Sequence, residues 1–191
     1  MDRLKTFLQS FSSISDEEFE ATTSHFATIR LKKGEYLVEQ GKICKRIAFV
    51  NSGTFRTYYI NEKAEETTAC FRTQFSIVSS YRSFVMQQPS DLAIEALEDS
   101  ELIVISYDSL QELYANSMAW LNIGRLIAES EYISMEEYAS VLNNESAKEK
   151  YLRLLQEQSE VVQKASVESI ASYLGVTRRT LSRIRQEIAS S

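Results

Sequence analysis

Hydrophobic spacing divides the chain into a β-rich middle and two helical ends. Between Thr28 and Tyr107, apolar and polar residues alternate in short runs, and this period of two is typical of half-buried strands. The runs predict eight strands at residues 29–31, 36–38, 47–50, 55–60, 67–71, 75–78, 92–97 and 102–105. Short strands at roughly ten-residue spacing, separated by glycines and polar turns, predict an antiparallel β-sandwich or jelly roll.

Two helices are predicted ahead of the first strand. The first has an apolar face made of Leu4, Phe7, Leu8 and Phe11. Ser15 and Glu18 have the spacing of a capping box, in which each side chain binds the other residue's backbone N–H. We therefore expect a second helix to begin after Ser15 and to carry Phe19 and Phe26.

Helical spacing resumes after Tyr107. Asp108 is a suitable cap for a short helix that contains Leu110 and Leu113. Further on, residues 143–144 are two consecutive asparagines, and we interpret them as a hinge. Ser146 and Glu149 form a second capping box, which opens a helix with the apolar residues Tyr151, Leu152 and Leu155.

A long uninterrupted helix is predicted from Asn116 or Ser117 to about Leu142. Its length of about 40 Å, at 1.5 Å per residue, exceeds what a small domain needs to cover its own core. We therefore predict a dimerisation helix that pairs in weakly coiled-coil fashion. The predicted interface is its roughly heptad stripe: Trp120, Ile123, Ile127, Ser134, Tyr138 and Val141.

The last 26 residues have the pattern of two short helices joined by a tight turn. Ser166 can cap the first helix, Gly175 suits the positive φ that ends it, and Thr177 can cap the second. Ala171 lies where the helices would cross. Their apolar positions are spaced to bury one shared side: Ile170, Leu174, Val176, Leu181, Ile184 and Ile188. This is the helix-turn-helix pattern, whose second helix enters the DNA major groove.

Arginine on the second helix favours DNA as the partner. Guanidinium groups suit guanine edges and phosphates, and the predicted DNA-binding residues are Thr177, Arg178, Arg179, Thr180, Ser182, Arg183 and Arg185. The chain has a net charge of −6, but the segment from Lys164 onward is +3 and the remainder is −9. A basic end on an acidic body would orient the protein on DNA. Two amphipathic helices with a basic, solvated face also form ordinary hairpins.

Composition excludes several other classes of protein. No apolar run approaches the length of a membrane span and the first residues do not resemble a signal peptide, so we expect a cytoplasmic protein. Cys44 and Cys70 lack metal-ligand spacing and are expected to be buried free thiols. The single histidine, His25, gives no catalytic pairing or His-rich metal site. We therefore predict no enzyme, no metal and no cofactor.

Three stretches resemble the CRP/FNR family of transcription regulators. Residues 31–41 (LKKGEYLVEQG) are similar to the family's opening strand signature, and residues 47–53 (IAFVNSG) to its next strand and glycine turn. The helix-turn-helix is the third, with Arg178, Arg179 and Arg183 where family members contact the operator. The resemblance implies an α+β fold with an N-terminal cyclic nucleotide-binding-like sandwich, a long dimerisation helix and a C-terminal helix-turn-helix. It also implies double-stranded DNA, a second copy and RNA polymerase as partners.

The chain departs from this family at the phosphate cassette. In members that bind cyclic nucleotides, a Gly-Glu pair and an Arg-Ser or Arg-Thr pair hold the ribose and the phosphate. The matching positions here are Val78-Ser79 and Pro89-Ser90. The candidate effector residues are therefore Val78, Ser79, Ser80, Arg82, Pro89 and Ser90, with no effector identified. We expect no useful affinity for cyclic AMP. The cavity flanked by Phe71, Phe75, Tyr81 and Phe84 would suit an apolar ligand or be filled by its own side chains, and we favour the filled cavity.

Two further departures concern the end of the chain and the cysteines. The chain stops soon after the recognition helix, so the β-hairpin wing should be short or absent, and cysteines are not clustered as in an iron–sulfur sensor. We predict a sensor at residues 1–114, a dimerisation helix at 115–143 and a DNA-binding domain at 144–191. The predicted function is a homodimeric DNA-binding transcription regulator. The alternative is a ligand-binding or interaction module whose helical end contacts protein.

Overall fold

Two antiparallel four-stranded sheets form the sandwich that the sequence predicts. The computed structural model describes residues 1–190, without the side chains of residues 142 and 143. Its strands are β1 (Phe26–Leu31), β2 (Tyr36–Val38), β3 (Arg46–Ser52), β4 (Phe55–Ile60), β5 (Glu66–Arg72), β6 (Ile77–Val78), β7 (Ala93–Ala96) and β8 (Ser100–Ser106). One sheet has the order β1-β8-β3-β6 and the other β2-β7-β4-β5, so β5 is an edge strand. All eight predicted strands are confirmed.

Nine α-helices surround the sandwich and extend beyond it within the described part of the chain. They are α1 (Asp2–Gln9), α2 (Asp16–Thr22), α3 (Tyr81–Met86), α4 (Tyr107–Asn116), α5 (Met118–Asn144), α6 (Ala147–Glu157), α7 (Ser159–Lys164), α8 (Val167–Leu174) and α9 (Arg178–Ala189). Over residues 1–190, none of these helices combines the length and the hydropathy needed to cross a bilayer. No strand follows α9 in that part of the chain, where a wing would begin.

Inward-facing residues of both sheets make the sandwich core. Phe49, Phe55, Ile94 and Leu102 are almost completely buried there, as the alternating pattern predicts. The core continues under the flanking helices, because α1 contributes Leu4 and Leu8, α4 contributes Leu110 and Leu113, and α5 contributes Trp120 and Ile123. Cys44 is a buried free thiol, as expected, whereas Cys70 is only partly buried.

The helix caps agree with the sequence at most positions. Ser15 and Glu18 form the predicted capping box, and so do Ser146 and Glu149. Asp108 is not a cap, since the Ser106 hydroxyl accepts the N–H of Ser109 at the start of α4 and Asp108 lies inside the first turn. Phe26 is not on α2. The helix ends after two turns at Thr22, and Phe26 begins β1 opposite Ile105.

Four of the six residues predicted as the dimer interface contact the same protomer, whereas Ser134 is exposed and Val141 is half-buried. Trp120 and Ile123 are 3% and 1% exposed and belong to the sandwich core, which Ile127 also contacts. Tyr138 donates a hydrogen bond to the carbonyl of Ala69 on β5. These side chains are therefore not available to a second copy. Gly124 has a packing role on this side, because the Tyr114 hydroxyl lies 2.1 Å from where a Cβ would be.

A short connection joins α5 to the terminal helices. α5 continues through Asn144, so the break falls at Glu145 and Ser146 rather than at the two asparagines. Glu145 forms an ion pair with Arg153 of α6 across this break. Between α6 and the helix-turn-helix, α7 is a further helix that the sequence analysis did not predict. Its Val161 is fully buried among the terminal helices.

Candidate nucleic-acid interface

The first helix of the pair begins and ends with the predicted residues. The Ser166 hydroxyl accepts the N–H of Ser169, which satisfies a free donor at the start of α8. Gly175 has φ +69° and follows the last helical residue. Its N–H binds the Ser172 carbonyl, and the N–H of Val176 binds the Ala171 carbonyl. This pair of bonds is a Schellman motif, which glycine favours because it adopts positive φ without strain.

The second helix is fixed against the first by a buried apolar face. Thr177 caps α9 by accepting the N–H of Thr180. Leu181 and Ile184 are 0% and 5% exposed, and they pack with Ile170, Ala171 and Leu174 of α8 in one cluster. Four of the six positions predicted for the shared side are therefore buried, and so is Ala171 at the predicted crossing, whereas Val176 and Ile188 are half-buried at its margin.

Five of the seven predicted DNA-contacting residues face solvent. They lie at the N-terminal end of α9 and on the side opposite Leu181: Thr177, Arg178, Arg179, Ser182 and Arg183. The N-terminal end of a recognition helix is the part that reaches base edges in the major groove. Thr180 is half-buried, and its hydroxyl is 3.0 Å from that of Thr177. These five residues therefore form the compact polar and cationic surface that the sequence predicts.

Local acidic residues accompany two of these arginines. Arg178 is 2.8 Å from a carboxylate oxygen of Glu168 on α8, and Arg183 is 3.7 Å from Glu187, one turn along α9. All four side chains are half or more exposed, so such pairs are weak and can exchange for phosphate contacts. Both arginines therefore remain suitable for an anionic partner.

Arg185 does not belong to the exposed surface. Its Nε donates a hydrogen bond of 3.0 Å to the hydroxyl of Tyr151 on α6, and its guanidinium lies over the Tyr151 ring at 5.4 Å. Arg185 therefore joins α9 to α6, and its assignment as a DNA contact is corrected. Helical spacing could not reveal this, because Tyr151 lies 34 residues earlier in the chain.

The outward side of α5 carries a different stripe, which is apolar except for Arg125. Its positions alternate by three and four residues: Met118, Leu121, Arg125, Ala128, Tyr132 and Met135. Met118, Tyr132 and Met135 are 78%, 61% and 68% exposed. Spacing of this kind is typical of a coiled-coil seam. The sequence did not reveal this stripe, because the opposite side of α5 is more strongly apolar and was therefore predicted as the interface.

The serines among the candidate effector residues, and the neighbouring Ser83, use their hydroxyl groups to bind one another or the backbone. The Ser79 hydroxyl donates to the Arg46 carbonyl, and the Ser90 hydroxyl lies within hydrogen-bond distance of both the Ser80 hydroxyl and the Leu92 carbonyl. Ser83 accepts the N–H of Cys44 and donates to the Gln88 carbonyl. Val78, Ser80 and Ser90 are buried, whereas Pro89 is exposed.

Arg82, the one cation of this segment, points away from the sandwich. Its guanidinium is 2.5 Å from Asp91, and both side chains are about two-thirds exposed. Of the aromatics expected to fill a cavity, only Phe84 is buried in the sandwich core. Phe75 and Tyr81 are 49% and 57% exposed, and Phe71 packs against the terminal helices instead. The expectation for these three is therefore wrong.

Comparison with known sequences identifies the sandwich. Residues 28–117 match the cyclic nucleotide-binding domain family. The chain is also 28% identical over 167 residues to the anaerobic regulatory protein of Haemophilus influenzae. That match covers 81% of this chain but only 63% of the relative, so the chain spans less than two-thirds of that protein's length.

Solved structures share the arrangement of sandwich and terminal helices. FixK2 from Bradyrhizobium japonicum has a TM-score of 0.73 at 18% identity, with 86% of this chain and 85% of that chain covered. A protein from Eubacterium rectale assigned to the CRP/FNR transcriptional regulators has a TM-score of 0.72 at 19% identity, with 93% and 84% covered. At these identities the likeness shows the fold.

Proposed function

We propose that this chain is a transcription regulator of the CRP/FNR type that binds double-stranded DNA as a homodimer. The observation that carries the proposal is the capped helix pair, with a fully buried Leu181 on one side of α9 and exposed Arg178, Arg179 and Arg183 on the other. Such a helix can enter the major groove while the helix pair stays packed, and its arginines suit guanine edges and phosphates. RNA polymerase is a further proposed partner.

The proposed dimer pairs the outward sides of two α5 helices. The stripe from Met118 to Met135 has the spacing of a coiled-coil seam, and its large apolar side chains are largely exposed in the single protomer. A two-fold axis along this seam would place both recognition helices on one side of a duplex. The predicted division at residues 1–114, 115–143 and 144–191 is kept as part of this proposal.

The dimer is tested by charging the seam. Met135→Glu should yield monomer in analytical ultracentrifugation, because a carboxylate would be buried between two apolar side chains. Ser140→Glu is the matched control, since Ser140 is an exposed residue of the same helix off the stripe. It should remain dimeric. A wild-type protein that is monomeric at micromolar concentration would contradict the proposed dimer.

The sensor is proposed not to bind cyclic AMP or cyclic GMP usefully. A buried phosphate charge needs a paired cation and aimed donors, but Arg82 is exposed and paired with Asp91, and the serine hydroxyls bind protein groups. Losing two charge-assisted hydrogen bonds, at about 1.5–3 kcal/mol each, weakens binding about a hundredfold or more. Calorimetric titration should show no micromolar binding. A micromolar constant that Arg82→Ala abolishes would contradict this.

DNA binding is tested by anisotropy of a fluorescent mixed-sequence duplex over a salt series. Two phosphate contacts alone should lower the affinity about tenfold between roughly 50 and 200 mM salt, because binding releases counterions. A double variant, Arg179→Ala with Arg183→Ala, should flatten that dependence. Absence of binding at low salt would instead support a helical end that contacts protein.

A further inference from the structure

The helix-turn-helix is docked directly on the edge of a sandwich sheet. α8 lies along β5, the edge strand of the sheet β2-β7-β4-β5. An edge strand presents unpaired backbone N–H and C=O groups, and these need a partner when they are covered. The groups that supply those partners come from α8 and α5.

Ser172 of α8 binds the backbone of β5 twice. Its hydroxyl accepts the N–H of Thr68 at 2.9 Å and donates to the carbonyl of Glu66 at 3.2 Å. A serine hydroxyl has the donor and the acceptor for both roles. Ser172 therefore replaces the neighbouring strand that this edge lacks.

Aromatic rings fill the space beside Ser172. Tyr138 of α5 donates to the Ala69 carbonyl at 3.1 Å and stacks on Tyr173 of α8, with the ring centroids 6.0 Å apart. Tyr173 in turn meets Phe71 of β5 edge-on at 5.4 Å. Burial raises the pKa of both tyrosine hydroxyls above the usual value, so the contact is neutral. We call Ser172, Tyr173 and Tyr138 the latch.

Ion pairs join the sandwich to the helices beside the latch. Lys164 of α7 is 2.9 Å from Glu98, and this hydrogen bond holds the pKa of the Glu98 carboxyl below its usual value of 4.5, as does a further one from Thr54. Arg72 of β5 binds Glu131 of α5 at 2.6 Å. The Lys164 pair therefore adds a contact between the sandwich and the terminal helices, and the Arg72 pair holds α5 against β5.

We infer that the latch, and not a bound effector, holds the helix-turn-helix in the orientation that binds operator DNA. This rests on the proposed function and concerns the regulation of the same site. Every latch contact is made by the chain's own residues. The serines of residues 78–90, the segment that matches the phosphate cassette, also find their hydrogen-bond partners within the protein. The docked state leaves Arg179, Ser182 and Arg183 exposed, so docking does not cover the recognition surface. The protein should bind its operator constitutively.

The physical reason lies in the two-fold symmetry of the operator. Both recognition helices of a dimer must match two half-sites at the same time. If the two helix-turn-helix units were not docked on their sandwiches, only a fraction of their orientations could engage both half-sites. The apparent affinity for the operator would fall by that fraction. A single half-site needs one recognition helix only, so its affinity should not depend on docking.

The experiment compares two duplexes in the absence of any effector. The first is the two-half-site duplex that the wild-type protein selects from a random-sequence library, and the second has one half-site scrambled. Ser172→Ala and Tyr138→Phe should each weaken binding to the first about tenfold, since each dimer loses two hydrogen-bonding groups. Binding to the second should change less than about twofold. Ser140→Ala and Tyr59→Phe, at exposed positions away from the latch, should change neither.

Each contrary result has a separate meaning. Equal weakening on both duplexes, or unchanged or tighter binding to the first, would overturn the latch. If the wild-type protein binds neither duplex, the proposed function itself fails. Hydrogen exchange at Thr68 then still tests docking in solution. Exchange should be faster in Ser172→Ala than in wild type, and equal rates would overturn the latch.

Discussion

Two segments of this protein have similar residues but differ in how many of their polar side chains remain free to meet a partner. Residues 77–92 and residues 166–189 are both short helical units with several serines and at least one arginine. In the first, the hydroxyls of Ser79, Ser83 and Ser90 turn inward and bind one another or the backbone. In the second, Ser166 and Ser172 also bind backbone groups, but Ser182 and three arginines face solvent while apolar residues hold the helices together.

This difference separates a segment that is complete by itself from one that is prepared for a partner. Polar groups that already bind protein atoms gain little from a ligand, because each new bond replaces an existing one. Exposed guanidinium groups on a rigid helix give up few existing hydrogen bonds and little conformational freedom when they bind phosphates or base edges. This difference supports the proposal that the helical end, rather than the sandwich, recognises the partner.

The largest expected effect comes from the buried side of the helix pair. Leu181→Ala should lower the free energy of unfolding by about 2–5 kcal/mol, because it leaves a cavity between α8 and α9. The exposed neighbour Ser182→Ala is the control and should change stability by less than about 0.5 kcal/mol. Urea unfolding measures both. Equal stabilities would mean that the helices are not packed as described.

The next effect separates the arginines of the two segments. Arg183→Ala should weaken operator binding by about 1–3 kcal/mol and relax preference at one base pair if it reads a base edge. Arg82→Ala is the matched substitution in the cassette segment and should leave DNA affinity unchanged, since Arg82 is paired with Asp91 on the sandwich. Loss that is uniform across sequences would make Arg183 a phosphate contact. No loss would remove it from the interface.

A smaller effect is expected at the turn between α8 and α9. Gly175→Ala should destabilise the protein by about 1 kcal/mol, because alanine is strained at the positive φ that the Schellman motif requires. No atom lies within 4 Å of the added methyl group, so the cost is conformational rather than steric. The melting temperature measures it. An unchanged value would show that the turn relaxes.

The smallest expected effect is a pH dependence at the docking contact. The pKa of Glu98 is lowered by its hydrogen bond with Lys164, so its stabilisation is present above about pH 4.5 and is lost as the pH falls through the lowered pKa. Below that range, wild type and Glu98→Gln should have the same melting temperature, and above it wild type should be more stable by less than about 1 kcal/mol. A gap that widens toward acid would contradict this sign.

Much of the fold followed from local patterns in the sequence. Alternation of apolar and polar residues predicts a strand wherever one face is buried, and all eight strands were found. Ser15, Ser146, Ser166 and Thr177 each cap a helix as predicted, because capping depends on residues only three positions apart.

What the sequence did not reveal depends on contacts between distant residues. An apolar stripe on α5 has the same spacing whether it covers its own sandwich or a second copy, so Trp120 and Ile123 were assigned to the wrong contact. Arg185 has helical spacing compatible with an exposed face, but Tyr151 draws it inward. The docking of α8 on β5 had one signal in the sequence. Phe71 of β5 is an aromatic residue on the outer side of a strand, so another element has to cover it, and Tyr173 does so.

The central claim, DNA recognition by two symmetric copies of α9, is tested most directly by selection of duplexes from a random-sequence library with the purified protein and no effector. We expect enrichment of an inverted repeat whose half-site centres lie about 34–36 Å apart, close to one helical turn. Guanines should recur in each half-site, because arginines dominate the exposed side of α9. Failure to enrich any sequence, or enrichment of an unpaired single motif, would contradict the account.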